Sequence, residues 1–287
     1  MTLQRFFRWT GLALAGVVAA IVLALLVVYG WSEVLLRRHS PVRAVAMALP
    51  SDAASIAEGH RLMLVHGCAG CHGPQGQGGE LLDEPLIAHI VSPNLTQTVR
   101  SFSDADLATA IRHGVRPDGR TMIVMPSQAF APLTDADLGR IVAYLRSMPP
   151  VDGPGREISI GPIGRIGLLL AKFKTSLQLV EDAWPPGPAA DAQAERGRYL
   201  ARTTCVVCHG ADLRGASHPE GDAPDLHIVA AYSPEAFTTL MHTGRGLGDR
   251  KLGIMTGWAK AYLASLTDDE VAALYAYLHS MPAASTQ

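Results

Sequence analysis

The sequence predicts an all-α fold class in which one N-terminal transmembrane helix precedes two tandem helical domains. Three observations predict it: an uncharged apolar run near the N-terminus, two units that repeat the same motifs in the same order, and helix signals within each unit. At 287 residues the chain is long enough for a membrane segment and two small domains. A net charge of −2 and the lack of a basic run argue against a nucleic-acid partner.

The first element is an uncharged run over residues 9–32. A helix of that length spans roughly 36 Å, enough to cross a hydrocarbon layer ~30 Å thick. Trp9, Tyr29 and Trp31 lie at its two ends, where aromatic residues commonly meet the membrane interfaces. A cleaved signal peptide would have a shorter apolar run with a cleavage site close behind it, whereas the nearest small-x-small sequence begins at Ala44. We therefore expect an uncleaved anchor.

Two pentapeptides of the form C-x-x-C-H, at residues 68–72 and 205–209, contain all four cysteines of the chain. This is the attachment sequence for c-type haem, in which two thiols bind one porphyrin and the histidine ligates its iron. A zinc site would need both cysteine pairs around one ion, and two disulfides would leave the repeated histidine unexplained. We therefore expect two covalently attached haem c groups. The expected binding residues are Cys68, Cys71, His72, Cys205, Cys208 and His209.

The two motifs belong to two repeat units. The closing segments, LTDADLGRIVAYLRSMP at 133–149 and LTDDEVAALYAYLHSMP at 266–282, match at a constant offset of 133. Each has a threonine N-cap, an acidic residue three positions later, apolar residues at helical spacing and a terminating proline. Ser103 and Ser233 mark the start of a middle helix in each unit. No segment shows the clear alternation of a strand, so the units are predicted to be all-helical.

A linker is expected between the two helical units. The expected boundaries are residues 9–32 for the anchor, 50–150 for the first domain, 151–190 for the linker and 191–284 for the second domain. Within the linker, residues 158–173 are apolar but too short to span a bilayer. They are either a strap buried between the domains or an exposed patch for a membrane partner. Residues 184–188, WPPGP, predict a stiff turn into the second domain.

Each unit resembles a class I cytochrome c, and the order of features is similar to that in membrane-anchored cytochrome c subunits of periplasmic dehydrogenases. The resemblance covers nearly all of residues 50–284 and rests on the two C-x-x-C-H motifs and the repeated closing segments. It also rests on SPNLT at 92–96, IRHGV at 111–115 and Met125-Pro126. Alcohol and sugar dehydrogenase subunits of this kind carry three haem motifs, whereas this chain has two. The resemblance implies two tandem cytochrome c domains.

The resemblance also implies that a methionine is the second axial ligand of each iron, and a thioether ligand raises the reduction potential of a haem. The implied ligands are Met125 in the first unit and Met255 in the second. The repeat offset pairs Met255 with Met122 instead, so Met122 remains an alternative. His113 and His242 lie at near-equivalent positions and leave bis-histidine ligation open.

Further residues are candidates to support the haems. The resemblance suggests that the carbonyl groups of Pro93 and Pro224 accept a hydrogen bond from the two ligand histidines, although each proline would also serve simply to shape its loop. Four arginines either pair with haem propionates or are solvated surface residues. These are Arg112, Arg120, Arg245 and Arg250.

If both irons have two protein ligands, neither has an open site, so we expect an electron-transfer protein without catalytic residues. The expected donor is a periplasmic dehydrogenase or a quinol-oxidising complex, and the expected acceptor is a terminal oxidase or a soluble cytochrome. Haem attachment to C-x-x-C-H occurs outside the bacterial cytoplasm, so residues 33–287 are expected in the periplasm, anchored to the inner membrane. A dihaem subunit of a cbb-type cytochrome oxidase is the alternative, and a dihaem peroxidase is a less favoured one.

Overall fold

A computed structural model describes residues 3–40, 46–182, 191–218 and 221–282. Helices dominate it, and the all-α fold class is confirmed. The N-terminal helix α1 (Leu3–Leu36) is longer than the predicted anchor, and its part Gln4–Leu36 is long and apolar enough to cross a membrane. The predicted stiff turn at residues 184–188 lies outside the described residues.

Domain 1 consists of a long first helix and a long last helix that pack together, with shorter elements between them. Its helices are α2 (Ala53–Val65), α3 (Cys68–His72), α4 (Leu95–Ser101), α5 (Asp104–His113), α6 (Ser127–Phe130) and α7 (Asp135–Ser147), and its strands are β1 (Gly79–Glu84) and β2 (Ala88–Ser92). The caps form where the sequence predicts them. Ser103 accepts the backbone N–H of Asp106, and Thr134 accepts that of Asp137.

The linker and domain 2 are also built mainly from helices, with a few short strands. The linker contains β3 (Glu157–Ile160), α8 (Pro162–Leu169) and α9 (Ser176–Glu181). Domain 2 contains α10 (Ala192–Thr204), α11 (Val206–His209), α12 (Pro234–Thr243), α13 (Ile254–Ala261), α14 (Asp268–His279), the short strands β4 (Arg245–Gly246) and β5 (Arg250–Lys251), and 3-10 helices at Leu226–Ala231, Leu247–Asp249 and Leu263–Ser265. A complete capping box between Thr267 and Glu270 starts α14.

The same helix crossing builds both domains. In domain 1, α2 packs on α7, and in domain 2, α10 packs on α14. A Cβ atom at Gly59 would collide with the carbonyl oxygen of Arg140, and one at Gly197 would collide with that of Ala273. Each glycine therefore sets the closest approach of its helix pair, since any other residue would force the two helices apart.

The structure corrects the expectation that no strand is present. β1, β2 and β3 form a small antiparallel sheet in the order β1-β2-β3. β1 and β2 form a hairpin of domain 1, and β3 of the linker adds a third strand beside β2. All of β1 is exposed or half-buried, and four of the five residues of β2 are buried. Burial does not alternate from residue to residue along either strand. The sequence therefore lacks the period-two alternation of apolar and polar residues that identifies a strand.

The apolar linker residues 158–173 are not a strap buried between the domains. β3 pairs with β2, and α8 packs against α1. Leu36 at the end of α1 packs on a small second core that contains Ile90 and Ile160. The linker therefore joins domain 1 to α1, and it leaves Ile163 and other apolar side chains exposed.

The main hydrophobic core runs through both haem-motif domains without a break. Leu138 and Val142 of α7 belong to the same cluster of buried residues as Val271 and Leu274 of α14. Burial of this apolar surface favours one docked arrangement of the two domains.

Candidate haem sites

Each C-x-x-C-H motif follows the first helix of its domain. The short helix α3 spans the whole first motif, and α11 begins directly after Cys205. One helical turn places cysteines three positions apart on the same side, as attachment to one porphyrin requires. Before haem attachment, burial raises the pKa of the Cys68 thiol to about 12 and that of the Cys205 thiol to about 11, so both thiols are protonated at neutral pH.

The histidine of each motif is oriented by a proline carbonyl. His72 Nδ1 lies 3.0 Å from the carbonyl oxygen of Pro93, and His209 Nδ1 lies 2.9 Å from that of Pro224. The expectation for both prolines is confirmed. Burial lowers the pKa of each imidazole, which is therefore neutral at neutral pH and donates its Nδ1–H to the carbonyl. The lone pair of Nε2 is then available to an iron, and the ring orientation is fixed.

The residue after each proline explains why the carbonyl is held in place. Asn94 accepts the backbone N–H of Thr96 at 2.9 Å, and Asp225 accepts that of His227 at 2.7 Å. Both side chains therefore cap the helical segment that follows, α4 in domain 1 and the 3-10 helix Leu226–Ala231 in domain 2. The Pro-Asx pair is the local signal for this arrangement in both units.

The methionine segment of domain 1 is held by the start of α9. The backbone N–H of Ser176 donates to the carbonyl of Met122 at 3.0 Å, and its hydroxyl donates to the carbonyl of Met125 at 2.7 Å. Between them, Val124 has a φ of 76°, which is strained for a β-branched residue. This turn separates the two methionines, and Met125 packs against the main core. The packing favours Met125 over Met122 as the axial ligand.

Met255 is presented differently, in the first turn of α13 and half-buried against the main core. The histidine alternatives are directed elsewhere. His242 Nε2 lies 3.5 Å from Asp268 Oδ1 at the start of α14, and His113 lines a surface cavity with Asp135 at the start of α7. Each histidine therefore lies beside the last helix of its own domain, which weakens the case for bis-histidine ligation.

The four candidate arginines all have partners within the protein. Arg112 pairs with Asp135 at 2.7 Å and donates to the carbonyl of Leu133 at 2.6 Å. Arg120 lies 3.9 Å from Asp118. Arg245 lies 3.6 Å from Asp249, and Arg250 donates to the carbonyl of Leu247 at 3.1 Å. These local contacts favour the interpretation as surface residues for Arg120, Arg245 and Arg250, whereas the Arg112 side chain is only 20% exposed.

Comparison with known proteins identifies the family. A family model described as cytochrome c matches residues 56–149 and 194–282, which together make up more than half of the chain. The chain belongs to the cytochrome c family. Each matched region contains one C-x-x-C-H motif.

Individual relatives extend the match beyond the haem domains. The fructose dehydrogenase cytochrome subunit of Gluconobacter japonicus is 27% identical over 257 residues, which cover 80% of this chain and 53% of the relative. A diheme cytochrome c-type protein of Cereibacter sphaeroides is 24% identical over 290 residues, 91% of this chain and 97% of the relative. The cbb3-type cytochrome c oxidase subunit CcoP of Azospirillum brasilense is 26% identical over 225 residues, 78% of this chain and 61% of the relative. The chain thus spans about half the length of the dehydrogenase subunit.

Two matched cytochrome c regions and a dihaem relative of similar length support two covalently bound haem c groups. The residues present fit such groups, because each motif combines paired thiols with a neutral histidine whose Nδ1 is already engaged. A bound haem supplies one-electron redox chemistry at its iron. The protein supplies the axial ligands, the orientation of the histidine ring and the apolar surroundings.

The two haem-attachment segments contact one another across the domain interface. His66 Nδ1 lies 3.2 Å from the carbonyl oxygen of Thr203. His66 stands two positions before Cys68, and Thr203 stands two positions before Cys205, so equivalent positions of the repeat meet. His66 is buried, and its ring packs edge-on against Phe130. Sequence analysis missed this contact because nothing local to either segment encodes it.

Two further contacts show that the domains dock reciprocally. Arg61 of α2 pairs with Glu270 of α14 at 2.7 and 2.9 Å. In the opposite direction, the hydroxyl of Tyr199 in α10 donates to Asp137 of α7 at 2.7 Å. In each case the first helix of one domain contacts the start of the last helix of the other. This exchange of reciprocal contacts is the pattern of an approximate twofold interface.

An aromatic pair of domain 2 covers the first attachment segment. Trp258 and Tyr262 of α13 pack at a ring-centroid distance of 4.5 Å. A Cβ atom at Gly70 would lie 3.2 Å from Trp258 and from the Tyr262 hydroxyl, and one at Gly67 would collide with Trp258. The helix that carries Met255 therefore also packs on the backbone that would hold the first haem, and the glycines make room for the indole ring.

Proposed function

We propose that this chain is a membrane-anchored dihaem c-type cytochrome that transfers electrons from a periplasmic dehydrogenase or a quinol-oxidising complex to a terminal oxidase or a soluble cytochrome. In this proposal α1 is anchored in the bacterial inner membrane, and the haem domains face the periplasm. The proposed haem-binding residues are Cys68, Cys71, His72 and Met125 in domain 1, and Cys205, Cys208, His209 and Met255 in domain 2.

The observation that carries this proposal is the docking of the two attachment segments. The hydrogen bond between His66 and Thr203 joins the peptides that precede the two motifs, and Trp258 packs on the first of them. Two redox groups held at fixed, adjacent positions form a relay inside one chain. An enzyme with a gated haem would instead need an axial position that opens, and both proposed methionines pack against the core.

The dehydrogenase is the favoured electron donor because of the similarity to a fructose dehydrogenase cytochrome subunit. A second candidate, the dihaem subunit of a cbb-type oxidase, is supported by the similarity to a cbb3-type cytochrome c oxidase subunit. Both candidates use the same two haem domains and the same anchor. They differ in the protein that binds the chain.

The test is purification of the native protein from membranes in mild detergent, with quantitative mass spectrometry of the proteins that accompany it. We expect a dehydrogenase in stoichiometric amount, and addition of its substrate should reduce both haems. A stoichiometric oxidase with a binuclear centre would favour the second candidate instead. Rapid turnover of hydrogen peroxide by the wild-type protein would contradict the electron-transfer proposal, because it requires an open haem.

A further inference from the structure

An exposed apolar surface lies beside the C-terminal end of α1. Five large apolar side chains form it, and three of them are more than half exposed: Leu86 at 61%, Ile163 at 54% and Leu170 at 65%. The other two members are Ile87 and Ile166. We refer to these five residues as the α8 surface. In a soluble protein such a continuous apolar patch usually marks a contact with something outside the molecule.

Helical spacing and backbone hydrogen bonds bring the five residues together. Ile163, Ile166 and Leu170 are separated by three and four positions, so they lie on one face of α8 and its C-terminal end. The opposite face carries Leu168, which is 2% exposed.

The turn between β1 and β2 is joined to the start of α8. The backbone N–H of Ile163 donates to the carbonyl of Leu86 at 2.9 Å, and that of Gly161 donates to the carbonyl of Ile87, also at 2.9 Å. Leu86 and Ile87 therefore belong to the same surface as α8.

Contacts of Arg165 fix the position of α8 along the length of α1. The guanidinium of Arg165 lies over the ring of Tyr29, 4.6 Å from its centroid. The same group donates to Ser32 Oγ at 2.8 Å and pairs with Glu33 at 3.0 Å. Ser32 is fully buried, whereas most of the preceding residues of α1 are exposed.

These contacts place α8 at the expected membrane boundary. A span of ~20 residues crosses the hydrocarbon layer, so a span that begins near Trp9 ends close to Tyr29. Arg165 contacts α1 from Tyr29 to Glu33, which is the first turn beyond that limit. The α8 surface is therefore at the depth of the lipid headgroups, next to the proposed anchor.

We propose that the α8 surface binds the bilayer itself, as a short interfacial element that lies in the headgroup region beside the transmembrane helix. This proposal rests on the membrane anchoring proposed above. The exposed Lys172, just beyond Leu170, provides positive charge for anionic lipid headgroups. Arg37 and Arg165 share the single carboxylate of Glu33, which leaves a net positive charge there. Apolar side chains on a helix too short to span, with basic residues beside them, are the composition of an interfacial element.

Binding of the bilayer at two places has a consequence for the relay. A single helix would leave the haem domains free to rotate about their tether. Contacts at both α1 and the α8 surface fix domain 1 against the membrane, and domain 2 is held through the interface with domain 1. The protein then presents a constant face to any redox partner in the same membrane.

The test is photo-crosslinking of the full-length holoprotein in lipid nanodiscs that contain one chain, phosphatidylcholine, phosphatidylglycerol and a phospholipid with a diazirine near its headgroup. Mass spectrometry then maps the peptides bound to lipid. We expect crosslinks in α1 and also in residues 163–170 and 86–87. Residues 226–231 of domain 2, which include the half-exposed Ile228, should carry none.

Two matched variants sharpen the result. Ile166→Glu should reduce crosslinking of α8 several-fold and leave crosslinking of α1 unchanged, whereas Ile228→Glu should change neither. Crosslinks in α1 without any in α8 would overturn this inference and leave the anchoring intact. Lack of crosslinks in α1 would overturn the anchoring, and the inference would fail with it. Retained haem absorbance in both variants shows that the fold is intact.

Discussion

Domain 1 and domain 2 share the features that hold a haem and differ in the features that surround it. Both have a glycine at the helix crossing, a C-x-x-C-H motif after the first helix and a proline carbonyl bonded to the motif histidine. In the described parts of the chain, the three-stranded sheet belongs to domain 1 and the linker, and α8 joins that assembly to α1. The difference teaches that the repeated parts serve the cofactor, while the unique parts of domain 1 determine its position beside the proposed anchor.

The interface between the domains also combines a feature that the two domains share with one that differs between them. Its geometry is reciprocal, but its chemistry is not, because Arg61 forms a charged pair with Glu270 where Tyr199 forms a neutral-to-charged hydrogen bond with Asp137. The Glu270 side chain is only 6% exposed. Burial alone would raise the pKa of Glu270, but the hydrogen bonds and charge from Arg61 and the backbone N–H of Thr267 lower it overall. We therefore expect docking to depend more on the Arg61–Glu270 pair than on the hydrogen bond between Tyr199 and Asp137.

The largest expected effect comes from removing one attachment motif at a time. Cys68→Ala/Cys71→Ala and Cys205→Ala/Cys208→Ala should each lower the haem content from two per chain to one, because each motif binds its own haem. The pyridine haemochrome assay, normalised to protein mass, measures this ratio. Two haems in either double variant would contradict the assignment of the cysteines.

The axial ligands test whether the two haem sites are equivalent. Met125→Ala and Met255→Ala should each lower the reduction potential of one haem on the order of 0.1 V or more, because loss of the thioether removes its stabilisation of Fe(II). Potentiometric titration followed by absorbance measures both potentials. Met122→Ala is the matched control, and we expect it to leave the reduction potentials of both haems unchanged. A shift in Met122→Ala without one in Met125→Ala would reverse the assignment in domain 1.

The two reciprocal contacts predict unequal losses of stability. Glu270→Gln should lower the free energy of unfolding by about 2 kcal/mol, because the partly buried Arg61 then keeps only its partner Glu58 within the same helix, while glutamine still completes the capping box. Denaturant titration of the holoprotein at neutral pH measures the change.

Tyr199→Phe is the counterpart at the reciprocal contact. It removes one hydrogen bond to Asp137 and keeps the ring, so we expect a loss of about 1 kcal/mol in the same titration. Equal losses in the two variants would show that the charge at Glu270 adds nothing to docking.

The pH dependence of stability tests the burial of His66. Burial lowers the pKa of His66 to about 4, although Asp137 and Glu270 nearby favour the charged form and Arg61 opposes it. The unfolded chain protonates its histidines near pH 6.5, so the stabilisation is complete above that pH and falls as the pH decreases from 6.5 towards 4. The loss should reach at most about 3 kcal/mol by the lower end of this window.

The matched variant is His66→Asn, which does not titrate and keeps an N–H donor for Thr203. Its free energy of unfolding should change less between pH 6.5 and 4 than that of the wild type. Glu270, whose pKa lies below its ordinary value, contributes its own loss only at the acidic end of the window. The same slope in both proteins would show that His66 is not buried as the structure describes.

The repeated parts of the fold were predictable from sequence because their signals are local. The threonine caps at Thr134 and Thr267, the two motifs and the Pro-Asx loops all depend on residues close together in the chain. The small sheet and the packing of α8 on α1 depend on contacts between distant segments, such as the one between Arg165 and Tyr29. No local pattern encodes these contacts, so the sequence left a buried strap and an exposed patch as open alternatives.

The methionine ligand of domain 1 shows a second limit. Repeat alignment and family resemblance disagree between Met122 and Met125, because the two ligand segments have different lengths and backbone shapes. Met125 follows a residue in the left-handed region, Val124, whereas Met255 lies in a helix. A positive φ at valine has no sequence signature. The packing of Met125 against the core adds a second argument to the resemblance, which also favours Met125.

The measurement that tests the central claim most directly is electron paramagnetic resonance relaxation of the fully oxidised holoprotein. The reference is the one-haem variant Cys205→Ala/Cys208→Ala, in which domain 1 holds the remaining haem. Docked attachment segments predict that the ferric haem of domain 1 relaxes faster in the wild type than in this variant, because a second paramagnetic iron is held nearby. Identical relaxation in the two proteins would mean that the haems are far apart, and the relay proposed here would be wrong.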